Sequence, residues 1–445
     1  MEHLDPARCY RICAAHDGRF DGRFFVGVVT TGIYCRPVCR VRLPKLENCR
    51  FFACAAAAEA AGFRACLRCR PETSPGTPAW LGTSATVSRA LRLIADGALD
   101  DATEERLAER LGVGARHLRR LFAEHLGATP AAVARTRRVH FARRLITESP
   151  LSMTEIAFAS GFRSLRQFNG SIRSSFRASP TELRRRWRAR RADGDGILFR
   201  LACRPPFDWC SLLSFLRQRA IPGVEVVDDG AYRRTIEADG STGTIEVRGM
   251  ATEPALLLRV RLPSAGGLFE VVERVRRLFD LAADPLPIVE HLGSDPRLAR
   301  VLADHPGIRL PGAWDGFELA IRAVLGQQVT VKGATTLCGR LVRAFGTPLP
   351  EPDGALTHLF PRPDVLAGAD LSRIGVPRSR SETVRALARA VAAGDLSFRP
   401  GASLEETIAR LVAIPGVGPW TAHYVAMRAF GETDAFPASD LGVRR

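Results

Sequence analysis

Four cysteines in two closely spaced pairs are the clearest metal-ligating pattern in the chain. Three residues separate Cys35 from Cys39, two separate Cys66 from Cys69, and residues 40–65 lie between the pairs. A tetrahedral four-cysteine zinc site requires two short-spaced thiol pairs of this kind. The alternative is a set of buried apolar cysteines without metal, which leaves the paired spacing unexplained. The sequence therefore predicts one structural or reactive Zn²⁺ held by these four thiolates.

A second group of residues suited to chemistry lies in residues 411–440. Gly416 and Gly418 interrupt a helical pattern and allow the backbone to approach a ligand closely, and the N–H groups that open the next helix can bind a phosphate. Trp420 and Tyr424 are four residues apart, so their rings share one helix face. Asp440 follows a Phe-Pro loop that can direct its carboxylate into a cleft.

The order of helix, glycine-rich hairpin, helix and carboxylate resembles the helix-hairpin-helix DNA glycosylases, specifically the AlkA-type 3-methyladenine glycosylases. The resemblance covers residues 198–445, because further similar segments occur in the same order. It implies a small α+β domain followed by a helical domain. The additional segments are residues 198–204, 206–209, 279–281, 309–318 and 323–329.

The resemblance assigns roles to the residues of the hairpin region. Cleavage of an N-glycosidic bond develops positive charge on the sugar, which a buried carboxylate stabilises while it orients water. That role falls to Asp440; Glu432 and Asp434 compete, but capping or solvation in their turn explains them. An alkylated adenine is cationic and easily flipped. Trp420 and Tyr424 are therefore expected to line its pocket, with plain helix core as the alternative.

Residue types that are missing narrow the expected chemistry. Related lyases form a Schiff base through a hairpin lysine, but Lys45 and Lys332 are the only lysines here, so a monofunctional enzyme is predicted. No cysteine follows Cys338, so no iron–sulfur cluster is expected in this segment. The resemblance also allows hairpin carbonyls to hold a monovalent cation. No nucleotide cofactor is expected.

Two features depart from the AlkA-type pattern. The family inserts an apolar wedge into the base stack, and Gln328 occupies that position here, so extrusion is expected to use a polar plug or a neighbour. The family also continues with further helices, whereas this chain ends at Arg445, so the domain is expected to be truncated at its C-terminus. Both departures favour an alternative hypothesis, a methylation-responsive regulator whose glycosylase half binds DNA without catalysis. The aromatic pair and Asp440 favour the enzyme.

The sequence around the four cysteines resembles the zinc domain of Ada-type methylphosphotriester repair proteins, over residues 8–73. Residues 25–37 and 61–64 carry the resemblance. In that family the first cysteine, here Cys35, is both zinc ligand and methyl acceptor; zinc keeps the thiol ionised and nucleophilic. Methyl transfer makes the zinc centre less negative, which should tighten DNA binding. Cys49 and Cys54 are expected in the core.

The segment between these regions has two helix-turn-helix patterns, at residues 107–122 and 153–176, and resembles the AraC-type regulators. Any single arginine of this segment could instead belong to a solvated helix face that does not contact DNA. No Pro-Cys-His-Arg tetrapeptide occurs, so O6-methylguanine repair is not expected. The candidate DNA contacts are Arg116, Arg119, Arg120, Arg163, Arg166 and Gln167.

The bulk composition agrees with a DNA-binding protein. The 445 residues carry a formal net charge of +17, almost entirely as arginine. A GC-rich genome explains the preference for arginine over lysine but not the positive excess, which favours double-stranded DNA as partner. Eleven cysteines and no long apolar run predict a bacterial cytoplasmic, nucleoid-associated protein that does not cross a membrane. RNA polymerase is an expected partner of a promoter-binding regulator.

The predicted fold class is multidomain and mainly α, with α+β parts. Three linkers are predicted. They are residues 71–78, a basic run at 184–191 followed by residues 193–196, and residues 284–287. The predicted units are a zinc and methyl-acceptor domain (1–75), a double helix-turn-helix domain (80–190), a small α+β domain (197–284) and a helix-hairpin-helix glycosylase domain (285–445).

Overall fold

The structure is a computed structural model that describes residues 4–76, 85–100, 102–186, 196–398 and 402–440. Helices dominate, and three small sheets lie between them, which confirms the predicted fold class. Across these ranges we find no helix with the length and apolar character that a membrane span requires.

The N-terminal domain is a four-stranded sheet flanked by two short helices. Asp5 caps the first helix by accepting hydrogen bonds from the N–H groups of Ala7 and Arg8. The strands have the order β3-β1-β2-β4, and only the β2–β4 pair is parallel. Its elements are α1 (Pro6–Ala14), β1 (Phe25–Val28), β2 (Ile33–Cys35), β3 (Cys49–Phe52), α2 (Ala55–Ala60) and β4 (Arg64–Ala65).

The second domain is entirely helical over its described residues, as predicted. The long helix α6 lies between two helix-turn-helix units, and left-handed glycines form both turns, Gly112 at φ 69° and Gly161 at φ 76°. Its elements are α3 (Ala85–Ala95), α4 (Glu104–Arg110), α5 (Ala115–Leu126), α6 (Pro130–Glu148), α7 (Met153–Ala159), α8 (Leu165–Phe176) and α9 (Pro180–Arg186).

The α+β domain is a five-stranded antiparallel sheet with two helices. Residues 231–261 form its three longest strands, of which β9 alternates most clearly between buried and half-buried residues, and the sheet order is β5-β9-β8-β7-β6. Its elements are β5 (Ile197–Ala202), α10 (Trp209–Arg217), β6 (Glu225–Asp228), β7 (Ala231–Ala238), β8 (Ser241–Gly249), β9 (Ala255–Arg261) and α11 (Leu268–Leu278).

The C-terminal domain returns to helix. Its core is formed mainly by α14, α15, α17 and α19, and Ile414 and Val417 of the hairpin that links the last two helices pack into it. Its elements are α12 (Pro285–Leu292), α13 (Pro296–Asp304), α14 (Gly316–Leu325), α15 (Val331–Phe345), β10 (Pro348–Asp353), β11 (Leu356–His358), α16 (Pro363–Ala367), α17 (Arg378–Ala392), α18 (Leu404–Val412) and α19 (Pro419–Ala429).

One local expectation was wrong. The domain after residue 284 was expected to be helical, yet β10 and β11 form a hairpin; the prolines of β10 hide it, because proline disfavours strands except at edges. Within the predicted linker 71–78, Pro71–Thr73 forms a 3₁₀ turn in which Pro71 and Glu72 are buried. Most of the predicted spacer, residues 187–195, lies outside the described residues.

The N-terminal domain packs against α6 through a buried polar cluster. Glu59 accepts hydrogen bonds from the hydroxyls of Tyr34 (3.0 Å) and Thr136 (2.8 Å), and His140 Nε2 lies 3.4 Å from its carboxylate. Burial alone would raise the pKa of Glu59, but these partners, His140 foremost, hold it below its usual value. The buried Glu59 carboxylate of the N-terminal domain is therefore stabilised by partners from α6 of the helical domain.

The N-terminal and α+β domains are also joined. Arg23 Nε lies 2.8 Å from Asp284 Oδ2, and the Asp284 side chain is almost fully buried. The buried Arg204 guanidinium donates to the carbonyl oxygens of Ala282 (2.8 Å) and Gly76. Residues around 284, which the sequence marks as a boundary, are thus fixed to the first domain by an ion pair.

Candidate active site, zinc centre and DNA-binding helices

The hairpin between α18 and α19 depends on a glycine. Gly416 has a φ of 87°, and a Cβ atom placed on it would overlap Thr383 Oγ1 of α17. A side chain at this position is therefore excluded by both conformation and space. Gly418, at the N-terminus of α19, has a φ of −90° and open space where a Cβ would lie. The two hairpin glycines thus serve different purposes.

The hairpin is tied to the turn that carries the expected wedge. Gln327 Nε2 donates to the carbonyl oxygen of Gly416 (3.0 Å) and to Thr421 Oγ1 (3.2 Å). Arg380 Nη2 donates to the carbonyl oxygen of Gln327 at 2.6 Å. Gln328 follows in the left-handed region (φ 58°) and is exposed, as is its neighbour Val329. The polar side chain of Gln328 and the apolar side chain of Val329 are therefore both exposed at this turn.

Trp420 and Tyr424 lie on one face of α19, as their spacing predicts. Their rings are stacked, with centroids 5.3 Å apart and an interplanar angle of 10°. Both residues are half-buried, and Tyr424 also packs against the hydrophobic core of the domain. Trp420 Nε1 donates a hydrogen bond to Asp440 Oδ2 at 3.0 Å. The three residues singled out in the hairpin region are therefore in contact.

The loop after α19 places the carboxylate beside the indole. The backbone N–H of Phe436 donates to His423 Nδ1 (3.3 Å), and the N–H of Asp440 donates to the carbonyl oxygen of Pro437 (2.9 Å). Ala435 and Pro437 are buried while Phe436 is exposed, so alternate residues anchor the loop. Asp440 itself is half-buried and therefore accessible to a ligand.

The two competing acids have other surroundings. Glu432 Oε1 lies 2.7 Å from Arg92 Nη2, in an ion pair with helix α3 of the helical domain. Asp434 is exposed in the turn. Neither acid shares the Trp420 hydrogen bond. Of the three acids, Asp440 is the one placed at the aromatic pair.

Sequence reasoning missed Arg428, which lies one helical turn beyond Tyr424. Its Nη1 donates to the Tyr424 hydroxyl at 2.6 Å, and its other nitrogens donate to the carbonyl oxygens of Pro311 (2.7 Å) and Gly312 (2.8 Å). The buried guanidinium fixes the tyrosine ring and joins α19 to the segment before α14. The four-residue spacing from Tyr424 was the available signal.

The four cysteines of the predicted metal site come together. Parallel pairing of β2 and β4 aligns Tyr34 with Ala65, so that the residues that follow, Cys35 and Cys66, are neighbours. All four sulfur atoms lie within 4.8 Å of one another. Tetrahedral zinc with Zn–S bonds of about 2.3 Å needs sulfurs about 3.8 Å apart, so the donor set fits this ion. The predicted Zn²⁺ site, formed by Cys35, Cys39, Cys66 and Cys69, is confirmed.

The surroundings of the cysteines support the division into ligands and core. The backbone N–H of Arg36 donates to Cys69 Sγ at 3.4 Å, and Arg36 Nε donates to Asp21 Oδ1 at 2.8 Å. An N–H donor stabilises an anionic thiolate, which is the ligand form. Cys54 lies elsewhere; burial raises its pKa to about 11, and its thiol donates to the carbonyl oxygen of Leu126. Cys49, which was also expected in the core, is only half-buried, and its thiol donates to the carbonyl oxygen of Lys45.

Most of the candidate DNA contacts lie exposed at the second helix of each helix-turn-helix unit. Arg116 and Arg120 are exposed on α5, and Arg163 and Arg166 are exposed at the start of α8. Arg119 differs because its guanidinium forms ion pairs with Glu104 and Glu105. Gln167 is exposed too, but its Oε1 accepts from the Arg163 backbone N–H at 3.4 Å.

Four family models match the chain in succession. They are the metal binding domain of Ada (residues 8–72), a helix-turn-helix domain (107–186), the AlkA N-terminal domain (198–315) and the HhH-GPD superfamily base excision DNA repair protein (321–445). The probable bifunctional transcriptional activator/DNA repair enzyme AlkA of Mycobacterium tuberculosis is 46% identical over 446 residues, which cover 99% of this chain and 90% of that protein. The chain belongs to this bifunctional AlkA family.

Two further relatives match separate parts of the bifunctional AlkA architecture. DNA-3-methyladenine glycosylase 2 of Escherichia coli is 34% identical over 257 residues, covering 56% of this chain and 86% of that enzyme. The bifunctional transcriptional activator/DNA repair enzyme Ada of the same organism is 42% identical over 118 residues, covering 26% of this chain and 32% of that protein.

The hairpin geometry gives a prediction with a matched control. Gly416→Ala should lower the free energy of unfolding by about 2 kcal/mol or more, because the new methyl group overlaps Thr383 and the backbone is left-handed. Gly418→Ala should change it by less than about 1 kcal/mol. Urea unfolding of both full-length variants measures the difference. Equal stabilities would contradict the account of the hairpin.

Proposed function

We propose that this chain is a monofunctional DNA glycosylase, which hydrolyses the N-glycosidic bond of alkylated bases of the 3-methyladenine type. The observation that carries the proposal is the contact of Asp440 with the stacked pair of Trp420 and Tyr424. An electron-rich ring attracts a cationic base, and an adjacent carboxylate stabilises the cationic sugar that remains. Both requirements of this reaction meet at Trp420, which stacks on Tyr424 and donates to Asp440 in the loop after α19.

The proposed reaction follows from charge. Departure of an alkylated base leaves positive charge on C1′ and O4′ of the sugar, and the Asp440 carboxylate stabilises that charge. The same carboxylate orients a water for attack on C1′ and accepts its proton. The indole N–H donates to Asp440 Oδ2 at 3.0 Å, which fixes the carboxylate beside the aromatic ring. The leaving base is already cationic and departs neutral, so it needs no protonation.

The hairpin is the proposed binding site for the phosphate backbone of the DNA. The N–H groups of Gly418 and Trp420 have no acceptor among the described residues and precede the first helical hydrogen bond of α19, from Ala422 to Gly418. Donors at a helix N-terminus bind phosphate oxygens. Gln328 and Val329 project from the adjoining turn and are proposed to fill the space that the flipped base leaves. A monovalent cation at the hairpin carbonyls remains part of the proposal.

The absence of a hairpin lysine supports hydrolysis without strand cleavage. Lys332 is the only lysine after Lys45, and it lies at the start of α15 rather than in the hairpin. A Schiff-base mechanism needs an amine at the anomeric carbon, where Asp440 is proposed to act. The proposed product is therefore an intact abasic site.

The N-terminal half is proposed to sense methylation damage. Cys35 would attack the methyl group of a neutral methylphosphotriester: the thiolate forms an S–C bond, the O–C bond breaks, and the phosphate regains its negative charge. The zinc centre becomes less negative by one charge, which favours DNA binding by the exposed arginines of α5 and α8. Promoter binding and recruitment of RNA polymerase complete the proposal.

The glycosylase proposal is tested by base release from methylated duplex DNA. Asp440→Asn in the full-length protein should lower the rate about 10²- to 10⁴-fold, because the amide cannot stabilise the sugar cation or accept a proton. Asp434→Asn, a matched change in the same loop, should leave the rate within about twofold. Equal rates for wild type and Asp440→Asn would contradict the role of Asp440, and base release no faster than without protein would favour the alternative function, a methylation-responsive regulator that binds DNA without catalysis.

The methyl-acceptor proposal is tested by mass spectrometry. After incubation with methylated DNA, a single added methyl should be found on the peptide that contains Cys35 and not on the peptide that contains Cys49, because only the former is a zinc-bound thiolate. Unmethylated DNA and the Cys35→Ala variant should give no addition. Methylation of another cysteine in place of Cys35 would contradict the assignment.

A further inference from the structure

The loop that carries Asp440 is held by a residue of another domain. Arg92, on α3 of the helical domain, donates from Nη1 to the carbonyl oxygen of Gly431 (3.1 Å) and from Nη2 to Glu432 Oε1 (2.7 Å). Both side chains of this ion pair are 15% exposed. Arg92 lies outside the two glycosylase family models, which begin at residue 198. The glycosylase half alone does not contain this contact.

The Arg92 contact fixes the N-terminal end of the loop that carries Asp440. Residues 431–440 are anchored at the start by Arg92, in the middle by the His423 ring and at the end by the Trp420 indole. The second and third anchors belong to α19, on which the loop follows directly. Arg92 is the anchor that comes from outside the C-terminal domain, and it acts where Gly431 reverses the chain at φ 65°.

Helix α3 is itself firmly placed. Arg137 of α6 donates to the carbonyl oxygen of Ala95 (2.8 Å), and Arg277 of α11 forms an ion pair with Asp96. The C-terminal end of α3 is therefore attached to both α6 and the α+β domain. Arg92 lies in the last turn of α3, so its guanidinium reaches the loop from a fixed support.

The Arg92 guanidinium also has a strong reason to remain on the loop. Burial lowers its pKa, and its Nε has no acceptor in the described structure, so the Gly431 and Glu432 oxygens are the partners of a largely desolvated charge. Displacement of the loop would leave that charge buried and unpaired, which is more costly than loss of an exposed ion pair. The ion pair therefore favours one loop position over others.

We propose that Arg92 is a positioning residue for the glycosylase reaction, through which the regulatory domain holds the Asp440 loop against Trp420. This inference rests on the proposed role of Asp440. It makes the activity of the C-terminal half depend on the attached helical domain, because a carboxylate displaced by a fraction of an ångström stabilises the sugar cation less well. DNA bound by α5 and α8 would then contact the same helical domain that holds the Asp440 loop in place.

The test combines kinetics with hydrogen exchange in the full-length protein. Arg92→Ala should lower kcat for base release roughly 10- to 100-fold while KM changes less than about threefold. Amides of residues 432–440 should exchange faster, and those of α5 should not. Arg92→Lys should recover part of kcat. Arg106→Ala, the loss of an exposed arginine on α4 of the same domain, should leave kcat and exchange unchanged.

A charge exchange separates positioning from folding. Arg92→Glu and Glu432→Arg should each lower kcat, and the double variant should recover part of it, because the ion pair is re-formed in reverse while the hydrogen bond to the Gly431 carbonyl is not. If Arg92→Ala keeps wild-type kcat and loop exchange while Asp440→Asn is inactive, the inference is wrong and the proposed function stands. If Asp440→Asn is fully active, the proposed function fails instead. Failure of the double variant to regain activity would also overturn the inference.

Discussion

The hydrogen bond from the Trp420 indole to the Asp440 carboxylate is the interaction on which the proposed chemistry depends. It sets the distance between a surface that attracts a cationic base and a charge that stabilises the cationic sugar. Its geometry requires that α19 begin where it does, which in turn requires the left-handed Gly416 to pass Thr383 without a side chain. Gln327 then joins this hairpin to the turn that bears Gln328.

Carboxylates that pair with groups of a neighbouring domain also join the other domains. Glu59 joins the zinc domain to α6, Asp284 joins it to the α+β domain, and Glu432 joins the helical domain to the loop that carries Asp440. Removal of one partner from a buried pair leaves an uncompensated charge, so such pairs favour a defined arrangement of domains. Under the proposed function, these pairs would hold the zinc centre and the hairpin in a fixed relation.

Much of the site followed from the sequence because its determinants are local. The spacing within each cysteine pair, the two hairpin glycines and the four-residue spacing of Trp420 and Tyr424 each extend over only a few residues of the chain. The Arg92–Glu432 contact joins residues far apart in the chain, and only tertiary packing brings them together. The ion pairs of Arg119 escaped prediction for a similar reason, since a basic helix face does not show which of its arginines acids of a neighbouring helix neutralise. The β10–β11 hairpin was hidden by its prolines.

The central claim is that the Asp440 carboxylate stabilises positive charge on the sugar. Binding of two abasic-site analogues in otherwise identical duplexes tests it most directly: a pyrrolidine, which is protonated and mimics the cationic sugar, and a neutral tetrahydrofuran. The account predicts that wild type prefers the charged analogue by roughly 10²-fold or more and that Asp440→Asn loses this preference while it binds the neutral analogue normally. An undiminished preference in Asp440→Asn would contradict it.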